Sequence, residues 1–383
     1  MTQLGSHHAP ALDTRDSHSF PVGVVDGIGN SGRAKCQWHS GTTASQRPRE
    51  ADRVGKDTSA GCVSYNLLSV KSKQTELTSL ADHIFRQSLS PTAKRADEIV
   101  QAIRQHEIDN YWRVAATDGQ KERFAGQAFP LARPYISNTT LWKVVKQMPK
   151  GALLHAHLSA MLPYDKIVKI IIQTEGMVIS ASQPLDTKEA KQNATFTFAH
   201  NNGTLSTTPF KIDASDYIPN TEVPVKTAVA NFEGGEAAFI DFIKSKTTIP
   251  PGESIRHELG VDEIWRRFQA CFGPTGSMIQ YEPVVRKFYQ TLFQDLASDG
   301  ISWVEIRTGG SHGKLVHNGD EEIDPDLDAW WHVLVEEIDK FKATELGKSK
   351  NFLGARVIWS DTRINNRASI TKSMANQSHY HKG

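Results

Sequence analysis

Two histidines one residue apart give the chain its most chemically suggestive spacing. They lie in MPKGALLHAHLSAM, residues 148–161. ALLHAH (152–157) is a short apolar run after a glycine, the pattern of a buried parallel strand. Side chains alternate along a strand, so His155 and His157 share one face and Ala156 points away. Two neutral imidazoles on one face, at the C-terminal end of a parallel strand, can hold one metal ion, and zinc suits such donors. The plainer reading is two surface or loop histidines with no ligand. The three cysteines, Cys36, Cys62 and Cys271, form no CxxC pair, so a metal here must rely on His, Asp or Glu.

The elements that must position this pair are legible from periodicity. LTSLADHIFRQSL and the stretch Ala96–Ile108 each place apolar residues at helical spacing. Asn138 or Thr139 can cap a third helix with Leu141, Val144, Val145 and Met148 as its buried stripe. After ALLHAH, Pro163 suits a helix start, and Tyr164, Ile167, Val168, Ile171 and Ile172 form its apolar face. Residues 178–235 turn rich in Thr, Ser, Asn and Pro and read as an inserted, β-containing excursion. Helices resume at Phe239 and follow Pro283. DGISWVEIR (299–307) reads as a turn plus a strand and GARVIWSD (354–361) as a strand, with WWHVLVEEIDKF (330–341) as a helix between them. Strand, helix, strand order favours parallel α/β architecture. The final INNRASITKSMANQSHYHKG has little apolar content and reads as a tail. Its His379 and His381 repeat the His-x-His spacing without a strand pattern.

Composition narrows the partners. Against 44 basic residues stand 43 acidic ones, a net charge of +1 that favours neither nucleic acid nor an anionic membrane. No apolar run reaches the roughly 18 residues a membrane span needs. The N-terminus lacks the basic start and apolar core of a signal peptide. Asn-x-Ser/Thr sequons at Asn138, Asn193, Asn202 and Asn376 point the other way, toward secretion.

MPKGALLHAHLSAM resembles the first-strand motif of the adenosine deaminase-related growth factors. EIWRRFQACF, YEPVVRKFYQTLF, DGISWVEIR and GARVIWSDTR follow in that family's order, and the likeness covers roughly residues 77–363. The resemblance implies a TIM-type (β/α)8 barrel with an N-terminal helical segment and an inserted subdomain, here incomplete. It implies zinc as cofactor and hydrolysis of adenosine, or a related purine nucleoside, to inosine and ammonia. His155 and His157 would be the first zinc ligands, and Trp265 would lie near the substrate, its alternative being an aromatic packed on a helix. Glu305 reads as structural. A homodimer and an extracellular location are implied too.

The implied organisation is a leader or non-family stretch at 1–76, a helical dimerisation-type region at 77–150, the first part of the barrel at 151–363 with an insertion at about 178–260, and a tail at 364–383. The family's third zinc histidine, its His-Ala-Gly-Glu acid motif and its Ser-Asp-Asp-Pro motif are absent from these residues. Ser159 stands where related enzymes carry Asp, and Thr362 where some carry His. The chain therefore reads as truncated and inactive as written. Its alternatives are a non-catalytic dimerising or receptor-binding fragment, or another amidohydrolase-type metal enzyme.

Overall fold

The computed structural model describes residues 75, 78–112, 124, 126–203, 211–309, 314–325, 328–360 and 365–380. Residues 1–74, with Cys36 and Cys62, lie outside this set, as do Thr362, His381 and the side chains of Asn376 and His379. The chain divides into Met1–Ile84 and Phe85–Gly383, and the second unit holds nearly all of the described structure.

Helices come first: α1 His83–Gln87, α2 Pro91–Glu107, α3 Phe129–Ile136 and α4 Thr140–Gln147. Ser90 caps α2 by accepting from the Ala93 N–H. Of the two candidates for the α4 cap, the structure selects Thr139, whose hydroxyl accepts from the Trp142 N–H at 3.1 Å. The buried Glu107 carboxylate accepts the next two orphan donors, the Thr140 N–H at 2.5 Å and the Leu141 N–H at 3.0 Å. The apolar stripe of α4 is not buried as expected. Val144, Val145 and Met148 are exposed, along with Trp142. Periodicity marks an apolar face, but only a neighbouring element can cover it.

Strand β1 (Gly151–His157) and helix α5 (Tyr164–Gln173) follow, then β2 (Met177–Ala181), α6 (Lys188–Asn193), β3 (Phe196–His200) and the short β4 (Val223–Pro224). Next come α7 (Val225–Asn231), α8 (Gly235–Thr247), α9 (Gly260–Ala270), α10 (Phe272–Met278) and the long α11 (Glu282–Ser298). Strand β5 (Ile301–Thr308), α12 (Asp328–Ala343), α13 (Glu345–Ser349) and β6 (Gly354–Trp359) complete the body. The stretch read as a tail forms a helix, α14 (Arg367–Tyr380). Without an apolar stripe it buries almost nothing over residues 365–372.

The described residues form two three-stranded sheets. One is parallel, in the order β1-β5-β6, and the other antiparallel, in the order β3-β2-β4. This is an α/β fold, and among the described residues the parallel sheet does not close into a barrel. Val304, Ile306 and Thr308 of β5 are buried on the sheet face that α11 and α12 cover, and a single apolar core runs through α5, both sheets, α8, α11 and α12.

The MPKG segment ties β1 to β5. The Lys150 N–H donates to the Gly300 carbonyl at 2.9 Å, and its ammonium donates to the Asp299 carbonyl at 2.6 Å and pairs with the Asp299 carboxylate at 3.2 Å. Gly300 turns here at φ 82°, a conformation that favours glycine. At the far end of β5, any side chain on Gly309 would collide with the Ser360 backbone.

Candidate functional site

The face of the parallel sheet opposite α11 and α12 carries the predicted histidines. Ladder register sets His157 beside Arg307, and Glu305 beside Arg356, while Ala156 pairs with Ile306 toward the core. Partners in a parallel ladder share a face. The ladder slips between Leu153 and Ala156, where β1 holds one residue more than β5 opposite, a bulge that contains His155.

The structure does bring the two imidazoles together. Their ring centroids lie 5.4 Å apart at 47°. Their surroundings differ from expectation, because β1 is not a buried strand: His155 and His157 are both exposed, and Leu154 beside them is 56% exposed. Among the described residues β1 has one strand neighbour, so its second edge and much of its surface remain open.

Charge at this position is positive. Partial burial, then His155, then Arg307 push the His157 pKa below the ordinary imidazole value. Arg307 Nη2 donates to the Leu154 carbonyl at 3.3 Å, and its enclosed Nε has no hydrogen-bond partner. Glu305 pairs only loosely, at 3.9 Å, with the exposed Arg356.

This arrangement corrects the expectation of zinc. No group of three or more His, Cys, Asp or Glu side chains that could hold a metal ion exists among the described residues. A structural zinc site needs four donors and a catalytic one at least three. Two exposed imidazoles beside a guanidinium supply too few donors and repel a cation. The residues do not fit the ion.

Trp265 sits apart from this pair. It is 53% exposed on α9, a helix with no buried residues, and its ring contact is with Phe268, at 5.4 Å. Phe268 in turn packs edge-on against Phe272 at 4.9 Å.

Arg307 and Arg356 were missed in the sequence, although a signal was present. In ISWVEIR the arginine has the parity of Glu305, so a strand reading puts both on one face. Its position beside His157 depends on a register no local pattern reveals. A separate polar group, Glu282, Arg286, His317, His332 and Glu336, lines a cavity of about 370 Å³ that includes none of the predicted site residues.

No protein-family model matches the chain. Among curated proteins, it is 26% identical to an adenosine deaminase of Lutzomyia longipalpis over 259 residues, 64% of this chain and 43% of that protein. It is 26% identical to adenosine deaminase 2 of Dictyostelium discoideum over 184 residues, 48% of this chain and 30% of that protein. It is 24% identical to adenosine deaminase 2-A of Danio rerio over 301 residues, 75% of this chain and 50% of that protein. The chain spans half or less of the length of these relatives. It is a distant relative of the adenosine deaminases, at the level of the superfamily.

Proposed function

We propose that this chain is a degenerate adenosine deaminase-type scaffold that does not turn over nucleoside by itself. One observation carries the reading. His155 and His157 stand at the strand end expected of a deaminase metal pair, yet they are exposed, lie beside Arg307 and lack a third donor among the described residues. Without a complete metal shell among the described residues, and with Glu305, a carboxylate on this face, turned to Arg356, neither water activation nor ring protonation is supported. A purine nucleoside remains the ligand class the relationship favours, with Trp265 as its candidate stacking partner.

A second reading, a dimerising or receptor-binding module, is favoured by the exposed Trp142, Val144, Val145 and Met148 of α4. Extracellular placement belongs to the proposal as well, supported by the exposed sequon residue Asn193. No helix among the described residues is long and apolar enough to cross a membrane.

The test is ammonia release from adenosine by the purified chain, with and without added zinc. The expected result is no release above buffer in either condition. Zinc-dependent release abolished by both His155→Ala and His157→Ala would overturn the proposal. Sedimentation of the chain beside a Val145→Asp variant examines the second reading. A dimer that the variant dissociates supports its dimerising form, and a monomeric parent chain sinks that form.

A further inference from the structure

Residues 314–325 follow β5 in the chain and form a strap over the start of α11. Its backbone is pinned at Val316, whose N–H donates to the Gln280 carbonyl and whose carbonyl accepts from the Glu282 N–H, both at 2.8 Å. Within the strap, the Asp324 N–H donates to the Leu315 carbonyl at 2.7 Å. The strap also reaches the end of β3. His200 Nδ1 lies 2.6 Å from the Asp320 carbonyl, and the Asn202 N–H donates to Glu321 Oε1 at 2.7 Å. His200 stacks on Tyr281 at 3.9 Å, and the Tyr281 hydroxyl donates to Asn318 Oδ1 and accepts from the Gly319 N–H. The strap thus joins the antiparallel sheet to the helix covering the parallel one.

One side chain in the strap is held by charge on both sides. His317 Nε2 lies 2.6 Å from Asp324 Oδ2, and Nδ1 lies 3.2 Å from Glu282 Oε2. A neutral imidazole has one N–H and can donate to only one carboxylate. Both contacts are satisfied together only by the imidazolium. Among the described residues, the charged or titratable groups that line the same cavity are Arg286, which engages Glu282, and His332 and Glu336 of α12. Arg286 is itself paired with Glu282, Glu336 and Glu337, and Lys340 with the last two.

We propose that His317 is a proton-operated clasp: the imidazolium locks the 314–325 strap onto α11 through Asp324 and Glu282, and its deprotonation loosens the strap. The sign follows from the contacts. Hydrogen bonds from Asp324 and then Glu282 raise the folded-state pKa of His317 above the ordinary imidazole value. The lock is therefore complete below that ordinary value and is lost as pH rises through the raised one. Because one proton is linked, strap opening increases by at most about tenfold per pH unit between those two values and is level on either side. What responds is the coupling of β3 to α11, since His200 and Asn202 hold the strap from one side and Tyr281 and Glu282 from the other.

Amide hydrogen exchange on the full chain tests this, read at Val316 and Asp324 from about pH 5.5 to about pH 8.5 and corrected for intrinsic exchange. The expected result is a several-fold rise in strap opening toward the alkaline end. In His317→Gln the opening should be independent of pH and match the alkaline level of the parent chain, while His332→Gln should retain the parent profile. A parent profile without a rise, or a rise that persists in His317→Gln, would overturn the proposal. Should His317→Gln fail to fold, the titration of the His317 ring followed by NMR decides in the parent chain and in Asp324→Asn. A raised midpoint that falls in Asp324→Asn supports the clasp, and an ordinary midpoint in the parent chain refutes it.

Discussion

The two sheets have equal strand counts and opposite fates. In the antiparallel sheet, Met177, Val178, Ile179 and Ala181 of β2 are buried on both faces, with Phe196 and Phe198 beside them on β3. Its central strand has neighbours on both edges, and the Tyr217 hydroxyl accepts from the Ala181 N–H at 3.0 Å and donates to the Thr221 carbonyl at 2.6 Å. The parallel sheet is buried only on the face under α11 and α12. Its other face exposes charged and imidazole side chains, and β1 is largely open. Stability therefore resides where the sheet is enclosed, and the residues with chemical potential stand where it is not. A deaminase-type site needs the reverse, a face closed against water and crowded with donors.

The largest expected effect comes from perturbing the enclosed sheet. Ile179→Ala removes a fully buried side chain opposite Phe198 and should cost about 2–5 kcal/mol in urea unfolding. The matching change in the open sheet, Leu154→Ala, should cost no more than about 0.5 kcal/mol, because that side chain is already exposed. Equal losses would erase the contrast between the sheets.

The cover of the parallel sheet is the next place to press. Glu337 on α12 has a 1% exposed side chain that accepts from Arg286 and Gln290 at 2.9 Å and from Lys340 at 3.0 Å. Burial alone would raise its pKa. Hydrogen bonds from Gln290, Lys340 and Arg286 outweigh that and hold it below the ordinary carboxylate value. Its contribution is present above the unfolded-state pKa and is lost as pH falls through the lowered folded one. Glu337→Ala should cost about 2–3 kcal/mol near neutral pH. Glu337→Gln should flatten the acid side of the stability profile. A profile that keeps the parent's acid slope would assign that slope to other carboxylates.

A smaller loss is expected at the seam of the parallel sheet. Lys150→Met deletes the ammonium that donates to the Asp299 carbonyl while keeping most of the side-chain volume. It should cost about 1–2 kcal/mol by the same unfolding assay. No measurable change would mean that the strand ladder and the Gly300 turn suffice to align β1 with β5.

Legibility in the sequence followed the range of the forces involved. Local rules placed β1, α5, β5 and β6 within a residue or so, because glycine, proline and the apolar period act over a few positions. They also offered Thr139, with Asn138, as a cap, and Thr139 is the one used. They failed where burial depends on distant chain. The α4 stripe has the right period but is exposed at Val144, Val145 and Met148, and α14 forms a helix with no apolar face to announce it. The histidine pair was legible as a pair because one strand sets its spacing. The shortage of further ligands was legible too, but the cationic neighbour was not, since Arg307 reaches the pair from 150 positions away through a ladder register. The clasp at His317 is hidden for the same reason, its carboxylates lying 35 and 7 positions distant.

The smallest effect is expected at the histidine pair itself, and this makes it informative. If His155 and His157 organised a metal centre, removing one would release an ion and its folding free energy together. On an exposed strand with a cationic neighbour, they hold nothing that folding requires. His157→Ala and His155→Ala should each change stability by no more than about 0.5 kcal/mol. A chelator should leave the melting temperature of the parent chain where it was. Because the folded state disfavours the His157 imidazolium, acid should weaken the parent chain slightly relative to His157→Ala as pH falls from the ordinary imidazole value to the lowered one, and no further below it. A melting temperature that drops with chelator, and drops less in the histidine variants, would return the pair to the role its spacing first suggested.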